Sequence, residues 1–206
     1  MIDAWLKFRN NPIFEKNAVM RTFIKSVLTL VFCFIIGFTC SAQTDLFENK
    51  NIEIGLEIQA YPTGIIPGIR LEKYLNSNSS LNLRLGFQLI DHRDLGVHEN
   101  EEGSGYGVSL AYRRFFKHDQ KGLSLALRTD LWFNEIDWKD GLLEGDSKIT
   151  VVQPTIMGEY AIRINPSLFI TPSLSFGWEW NVSTQGEPTG EGAIILLGLT
   201  FGFGIY

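Results

Sequence analysis

AIILLGLTFGFGIY, residues 193 to 206, decides the fold. Ile195, Leu197, Leu199, Phe201, Phe203 and Ile205 fall on one side of an extended chain, and Gly198, Thr200, Gly202 and Gly204 on the other. A period of two belongs to a strand, because successive side chains point to opposite faces. The stretch is longer than the about 5 or 6 residues usual in globular sheets, and it reaches the about 9 to 11 that a tilted strand needs to cross a bilayer. It reads as the closing strand of a membrane β-barrel.

Working outward from it, the same alternation recurs from Asn51 onward, and this strand is the eighth such segment. Ile52, Ile54, Leu56 and Ile58 alternate with Glu53, Gly55, Glu57 and Gln59; Ile69 and Leu71 with Arg70 and Glu72; Leu81, Leu83, Leu85, Phe87 and Leu89 with Asn82, Arg84, Gly86 and Gln88. Further along, Tyr106, Val108, Leu110 and Tyr112 oppose Gly107, Ser109, Ala111 and Arg113, and Leu123, Leu125, Leu127, Leu131 and Phe133 oppose Ser124, Ala126, Arg128 and Asp130. Val152, Ile156, Tyr160 and Ile162 then oppose Gln153, Thr155, Glu159 and Arg163, and Ile170, Leu174, Phe176, Trp178 and Trp180 oppose Thr171, Ser173, Ser175, Gly177 and Glu179. Pro67 and Pro154 each predict a bulge or a local break in the ladder, since proline has no N–H to donate. No helical period competes after residue 50.

The connections alternate as well. Asn76 to Ser79, Lys117 to Lys121 and Asn165 to Ser167 are tight, whereas Asp91 to Gly105, Asn134 to Asp146 and Asn181 to Gly192 are long, acidic and glycine-rich. Short periplasmic turns and long outer loops are the habit of outer-membrane barrels. Tyr61 to Gly64 is the exception, being short on the long-loop end.

Alternation alone also fits a soluble barrel of lipocalin type, with its apolar face turned inward around a ligand. A soluble barrel would show water a face rich in Lys and Glu. Here the polar face is Gly, Ala, Ser and Thr with scattered Arg and Glu, which suits a narrow interior. The aromatic residues agree: Tyr106, Phe133, Trp178 and Trp180 fall outward towards the long-loop end, and Tyr112, Phe116, Tyr160, Phe201 and Phe203 outward towards the tight-turn end. Rings at both water–lipid interfaces are the expected girdles. Outward Lys73 and Arg114 lie near the tight-turn end, where a long side chain reaches the headgroups.

Residues 1–42 are read as lying outside the barrel. Arg21 and Lys25 precede an apolar run from Val27 to Phe38, followed by Cys40, Ser41 and Ala42, the order of a secretory signal peptide. The expected division is an upstream extension over 1–19, a signal peptide over 20–42 cleaved after Ala42, a polar lead-in over 43–50 and the barrel over 51–206. A lipoprotein site at Cys40 is the rival, disfavoured by Thr39 before the cysteine. Cys33 and Cys40 both fall in the signal, so the mature chain would hold neither a disulfide nor a thiolate metal site. Of 18 Lys and Arg, 5 precede Gln43, and of 23 Asp and Glu, 2 do, leaving 13 minus 21, or −8. Such an acidic chain is a poor partner for nucleic acid.

The predicted inward positions carry Glu53, Glu57, Arg70, Glu72, Arg84, Arg113, Arg128, Asp130, Glu159, Arg163 and Glu179. In a narrow lumen such charges must pair, since breaking a buried pair costs about 3 to 5 kcal/mol. The expectation is a salt-bridged plug; the alternative is a narrow diffusion pore whose pairs exchange partners.

Material for catalysis is thin. His92 and His98 lie with Asp91, Asp94, Glu99, Glu101 and Glu102, a set that could be drawn as a base with orienting carboxylates or as a metal site. The spacing matches no ligand or nucleophile motif, and nothing ties Ser104 or Ser109 to a histidine. Glu99, Glu101, Glu102, Asp137, Asp140, Glu144 and Asp146 could hold calcium weakly, but a solvated acidic loop is the simpler reading. Gly103, Gly105 and Gly107 open a strand, so they make no phosphate cradle at a helix start. Neither enzyme nor cofactor is expected, and no metal.

Residues 51–206 resemble the small eight-stranded outer-membrane barrels typified by the transmembrane domain of outer membrane protein A and its single-domain relatives. The resemblance rests on strand count, loop alternation and the terminal aromatic Tyr206. It implies an all-β, antiparallel, up-and-down transmembrane barrel in contact with outer-membrane lipid. Phe203, Ile205 and Tyr206 would form the signal read by the barrel-insertion machinery. In the family the last aromatic shares the hydrophobic face, whereas Tyr206 is in phase with Gly204 and Gly202; a bulge near the end, or a residue lying beyond the ladder, would reconcile the two. The implied role is structural or interactive, with the acidic loops facing an extracellular partner.

Overall fold

The computed structural model describes residues 52–93, 96–118 and 120–205. The expected extension, signal peptide and lead-in lie outside them, as does Tyr206.

The chain forms strands β1 (Ile52–Tyr61), β2 (Gly64–Asn76), β3 (Ser79–Arg93), β4 (Asn100–Phe115), β5 (Gly122–Asp140), β6 (Leu143–Arg163), β7 (Leu168–Gln185) and β8 (Gly192–Ile205). Each pairs antiparallel with the next, and β8 returns to β1 to close an eight-stranded barrel with no free edge along the wall. The β1–β8 register runs unbroken from Ile52↔Ile205 to Ala60↔Leu197, so no bulge shifts the phase of the last strand through Ile205.

The faces point as membrane immersion requires. Leu56, Ile58, Ile69, Leu85, Leu110, Leu127, Ile156 and Phe176 are exposed, whereas Glu57, Arg70, Arg84, Ser109, Arg128 and Ser175 are buried. This overturns the inverted, lipocalin-like arrangement, in which the two sets would exchange places. A continuous apolar wall whose strands pair all the way around a closed ring is a solution suited to lipid.

Each proline marks a local break, as expected, without a bulge: the pairs at Ile66 and Pro67 are missing from the β2–β3 ladder and those at Gln153 and Pro154 from the β6–β7 ladder, with the register unchanged on either side. Register shifts fall elsewhere, at Tyr74/Asn76 and at Thr150/Val151. One expectation is corrected. The long connections are mostly strand. β5 and β6 stay paired up to Asp140↔Leu143, leaving a tight turn at Gly141, whose φ is +59°, and Leu142. Alternation and β-branched residues continue past Phe133 through Ile136 and then Ile149 and Val151, so the ladder outlasts the wall that lipid would cover. The result is a β5–β6 hairpin standing above the outer girdle, with β3 and β4 extended beside it.

Candidate functional site

The interior is built in layers. At its centre, Arg70 of β2 reaches Glu159 of β6 at 2.6 Å, Glu72 at 2.7 Å and Glu57 at 3.4 Å. Arg113 of β4 holds Glu159 at 2.8 Å and Glu72 at 3.1 Å. Arg84 bonds Glu57 at 2.6 Å, and Arg128 bonds Asp130 at 2.9 Å and Glu57 at 3.3 Å. β2 and β6 stand opposite each other in the ring, as do β1 and β5, so Arg70–Glu159 and Arg128–Glu57 both span the barrel axis. Neutral partners complete the layer: Gln59 accepts from Arg128 at 2.9 Å, and Ser80 donates to Glu72 at 2.5 Å.

Towards the tight turns, Arg163 pairs with Glu53 and donates to the Tyr74 hydroxyl at 3.0 Å, which in turn donates to Glu53 at 2.9 Å. Tyr74, Phe115 and Ala161 pack around this group.

Above the central layer the inward face turns apolar, which the sequence reading missed. Ile66, Ile90, Trp132, Ile136, Ile149, Val151, Ile194 and Leu196 form a buried cluster inside the barrel. Trp132 is 0% exposed, donates its indole N–H to Gln153 at 3.0 Å and lies against the guanidinium of Arg84, 5.4 Å from its ring centre. Gly86 and Gly107, paired across β3 and β4, make room for that ring: a Cβ on either would run into it. The signal was present in the inward-phase series Ile149 and Val151, hidden because its outward neighbours there, Thr150 and Lys148, are polar.

Of the expected inward charges, ten are ion-paired, Arg70, Arg84, Arg113, Arg128 and Arg163 with Glu53, Glu57, Glu72, Asp130 and Glu159, and all of these but the half-buried Arg163 are buried. Glu179 differs. It is half-buried and makes no ion pair among the described residues, because its pairing with Gly192 sets it at the mouth end, above the arginines. The expected girdle residues Tyr106, Phe133, Trp178, Trp180, Tyr112, Phe116, Tyr160, Phe201 and Phe203 are all exposed on the outer face. Tyr106 and Phe133 pack at 5.5 Å.

At the outer mouth the acidic segment folds into a compact cluster. Glu101 is 0% exposed, and its carboxylate accepts from His92 at 3.1 Å and from the backbone N–H groups of Val97 at 2.9 Å, His98 at 3.2 Å and Gly190 at 3.3 Å. Burial opposes its charge, but these donors hold its pKa below the ordinary carboxylate range. His98 faces Asp140 through Nδ1 at 2.6 Å and the Pro188 carbonyl through Nε2 at 3.0 Å, and stacks on Trp138 at 4.3 Å. The two histidines therefore serve different carboxylates. Ser109 gives its hydroxyl to Asp130 inside the barrel, far along β4 from either ring. Two of the acidic residues are engaged by lysines, Glu144 with Lys139 at 3.6 Å and Glu135 with Lys148 at 2.7 Å, and among the described residues no group of three or more His, Cys, Asp or Glu side chains is placed to hold a metal ion.

No known protein family matches the chain, and no curated protein does. Among solved structures it is similar to the N-terminal β-barrel domain of Pseudomonas aeruginosa OprF, at 18% identity over 76% of this chain and 100% of that one, TM-score 0.46. Neisserial surface protein A matches at 9% identity over 75% and 94%, TM-score 0.48. The attachment invasion locus protein of Yersinia pestis matches at 10% identity over 75% and 97%, TM-score 0.48. The fold assignment stands on this chain's own strand pairing.

Proposed function

We propose that the protein is an integral outer-membrane barrel, closed along its axis, whose role is structural and interactive. The apolar outer wall between two aromatic girdles supports the membrane placement. The observation that carries the closed reading is the pair of ion bridges, Arg70–Glu159 and Arg128–Glu57, that join opposite walls at the centre of the lumen. Above them the apolar cluster around Trp132 fills the same bore. Moving a solute through would require both to rearrange.

The surface role is drawn from the β5–β6 hairpin. Leu142 is 103% exposed and Leu143 69% at its tip, flanked by Asp137, Asp140, Glu144 and Asp146. Turn tips are ordinarily polar, and two adjacent bare leucines have no neighbour among the described residues to cover them. They fit an extracellular protein partner with an apolar pocket and a basic rim; the carboxylates would repel an anionic lipid surface. The reading is non-catalytic, with lipid and the insertion machinery as the other partners.

Conductance across a planar bilayer tests it, using refolded protein whose insertion is verified separately by heat-modifiable migration. Silence from inserted protein is expected. Discrete, reproducible current steps would overturn the closed interior in favour of a narrow pore.

A further inference from the structure

We propose that His98 and Glu101 form a pH-dependent clasp that holds the β7–β8 connection, residues 186–191, across the outer mouth of the barrel. β8, where that connection lands, stands opposite β4 in the ring. Glu101 belongs to β4 and His98 precedes it, so bonds from these residues to Pro188 and Gly190 cross the opening rather than run along one wall. The connection is tied down along its length. The Glu187 backbone carbonyl accepts from the Ser147 hydroxyl at 2.8 Å, the Thr189 carbonyl accepts from Asn181 at 3.2 Å, and Thr189 itself is buried.

The pH dependence follows from proton count. Both ring nitrogens of His98 face acceptors, a carboxylate and a backbone carbonyl, and neither acceptor has a proton to give. Only the imidazolium donates at both ends. Removing a proton leaves the Asp140 bond at Nδ1 and turns a lone pair on Nε2 towards the Pro188 oxygen, so the contact to the connection is the one that fails. Stacking on Trp138 also favours the charged ring.

The carboxylates around the ring act in the same sense, and the nearby basic groups are turned to other carboxylates. Asp140 faces it from β5, and its other oxygen accepts from the Glu99 N–H at 2.8 Å. Glu101 on β4 accepts the His98 backbone N–H, and Glu99 accepts from Gly141 at 3.1 Å. From β3 the neighbouring imidazole, His92, is bound to Glu101. Lys139 on β5 is turned to Glu144. With His98 only 8% exposed, the Asp140 hydrogen bond outweighs burial and raises the pKa of the ring above its ordinary value. A raised folded pKa means that the clasp is closed below the ordinary histidine range and is lost as pH rises through the raised value. Glu101 stays ionised across that window and keeps the second tie, so the connection loosens at its Pro188 end while Gly190 remains anchored.

NMR of the protein in lipid nanodiscs, from about pH 5 to about pH 9, reads this directly through the His98 ring and the amides of Thr189 and Gly190. The expected result is that Thr189 titrates with the same midpoint as His98, above the free-histidine value, while Gly190, held by Glu101, shifts little. In Asp140→Asn the shared midpoint moves down by about one pH unit or more. In His98→Gln the pH dependence disappears and Thr189 takes its high-pH shift throughout. A His98 titration that Thr189 does not follow, or a Thr189 transition that persists in His98→Gln, overturns the clasp. Dispersed amide signals from the β1–β8 pairing report that each variant is folded.

Discussion

Arg70 on β2 and Glu159 on β6 meet at 2.6 Å although their strands lie on opposite sides of the ring. This contact works as a strut. A barrel wall is held locally by its ladders, but nothing in a ladder fixes the distance between opposite strands; a charge-assisted bond across the bore does. Glu159 also takes Arg113 at 2.8 Å, so one carboxylate gathers two guanidiniums.

Glu159→Ala therefore leaves Arg70 and Arg113 to share Glu72, with Glu57 beside Arg70, and removes one carboxylate from a buried site that holds both guanidiniums. Breaking such a pair from one side costs about 3 to 5 kcal/mol. Urea unfolding of the vesicle-inserted protein should show the midpoint falling accordingly, while an unchanged midpoint would mean that water or a shifted neighbour replaces the carboxylate at no cost.

Trp132→Ala addresses the apolar layer. The ring is fully buried among Ile66, Ile149 and Leu196, so its removal should cost about 3 to 5 kcal/mol through lost burial and the cavity left behind. The central arginines remain, and the variant should stay silent in a planar bilayer. Gly107→Leu attacks the same contact from the facing strand, and reduced unfolding midpoints in both variants would locate the layer functionally.

Placing one charge at two heights tests immersion. Leu85 faces outward near the middle of β3, and Leu142 caps the β5–β6 hairpin. Leu85→Arg should cost about 2 to 4 kcal/mol in a bilayer, while Leu142→Arg, in water, should stay within about 0.5 kcal/mol. Equal small effects at both positions in the unfolding assay would argue that the wall does not face lipid.

The strands were legible because the outward face is nearly pure: Leu81, Leu83, Leu85, Phe87 and Leu89 leave no other period to fit. The inward charges were legible for the complementary reason, since an arginine among leucines on alternate positions has one place to go. Which arginine meets which acid was not, because Arg70 and Glu159 are brought together by closure of the ring, not by spacing. The strand ends were misjudged because acidic and glycine residues signal loops, yet Asp137 and Asp146 pair across a regular ladder. Nor could sequence show the mouth cluster, where Glu101 gathers donors from β3, its own neighbourhood and a connection nearly ninety residues on, Gly190 (|i−j| = 89).

Tryptophan quenching joins the outer wall to the interior in a single measurement. Trp178 and Trp180 are 48% and 49% exposed on the outer girdle, Trp132 is sealed in the lumen, and Trp138 faces inward beneath His98 at the mouth. Variants that keep one of these tryptophans and carry phenylalanine at the rest are inserted into vesicles of brominated lipid. Contact quenching requires the bromine to touch the ring, so Trp178 and Trp180 should be quenched, and more strongly by bromine close to the headgroups than by bromine at the chain ends, since girdle rings sit at the interface. Trp132 and Trp138 should be unaffected by either lipid, Trp132 because the wall stands between and Trp138 because it lies above the bilayer. Quenching of Trp132 with Trp178 spared would require the faces of the barrel to be exchanged, and strong quenching of Trp138 would require the β5–β6 hairpin to lie in the membrane instead of standing above it.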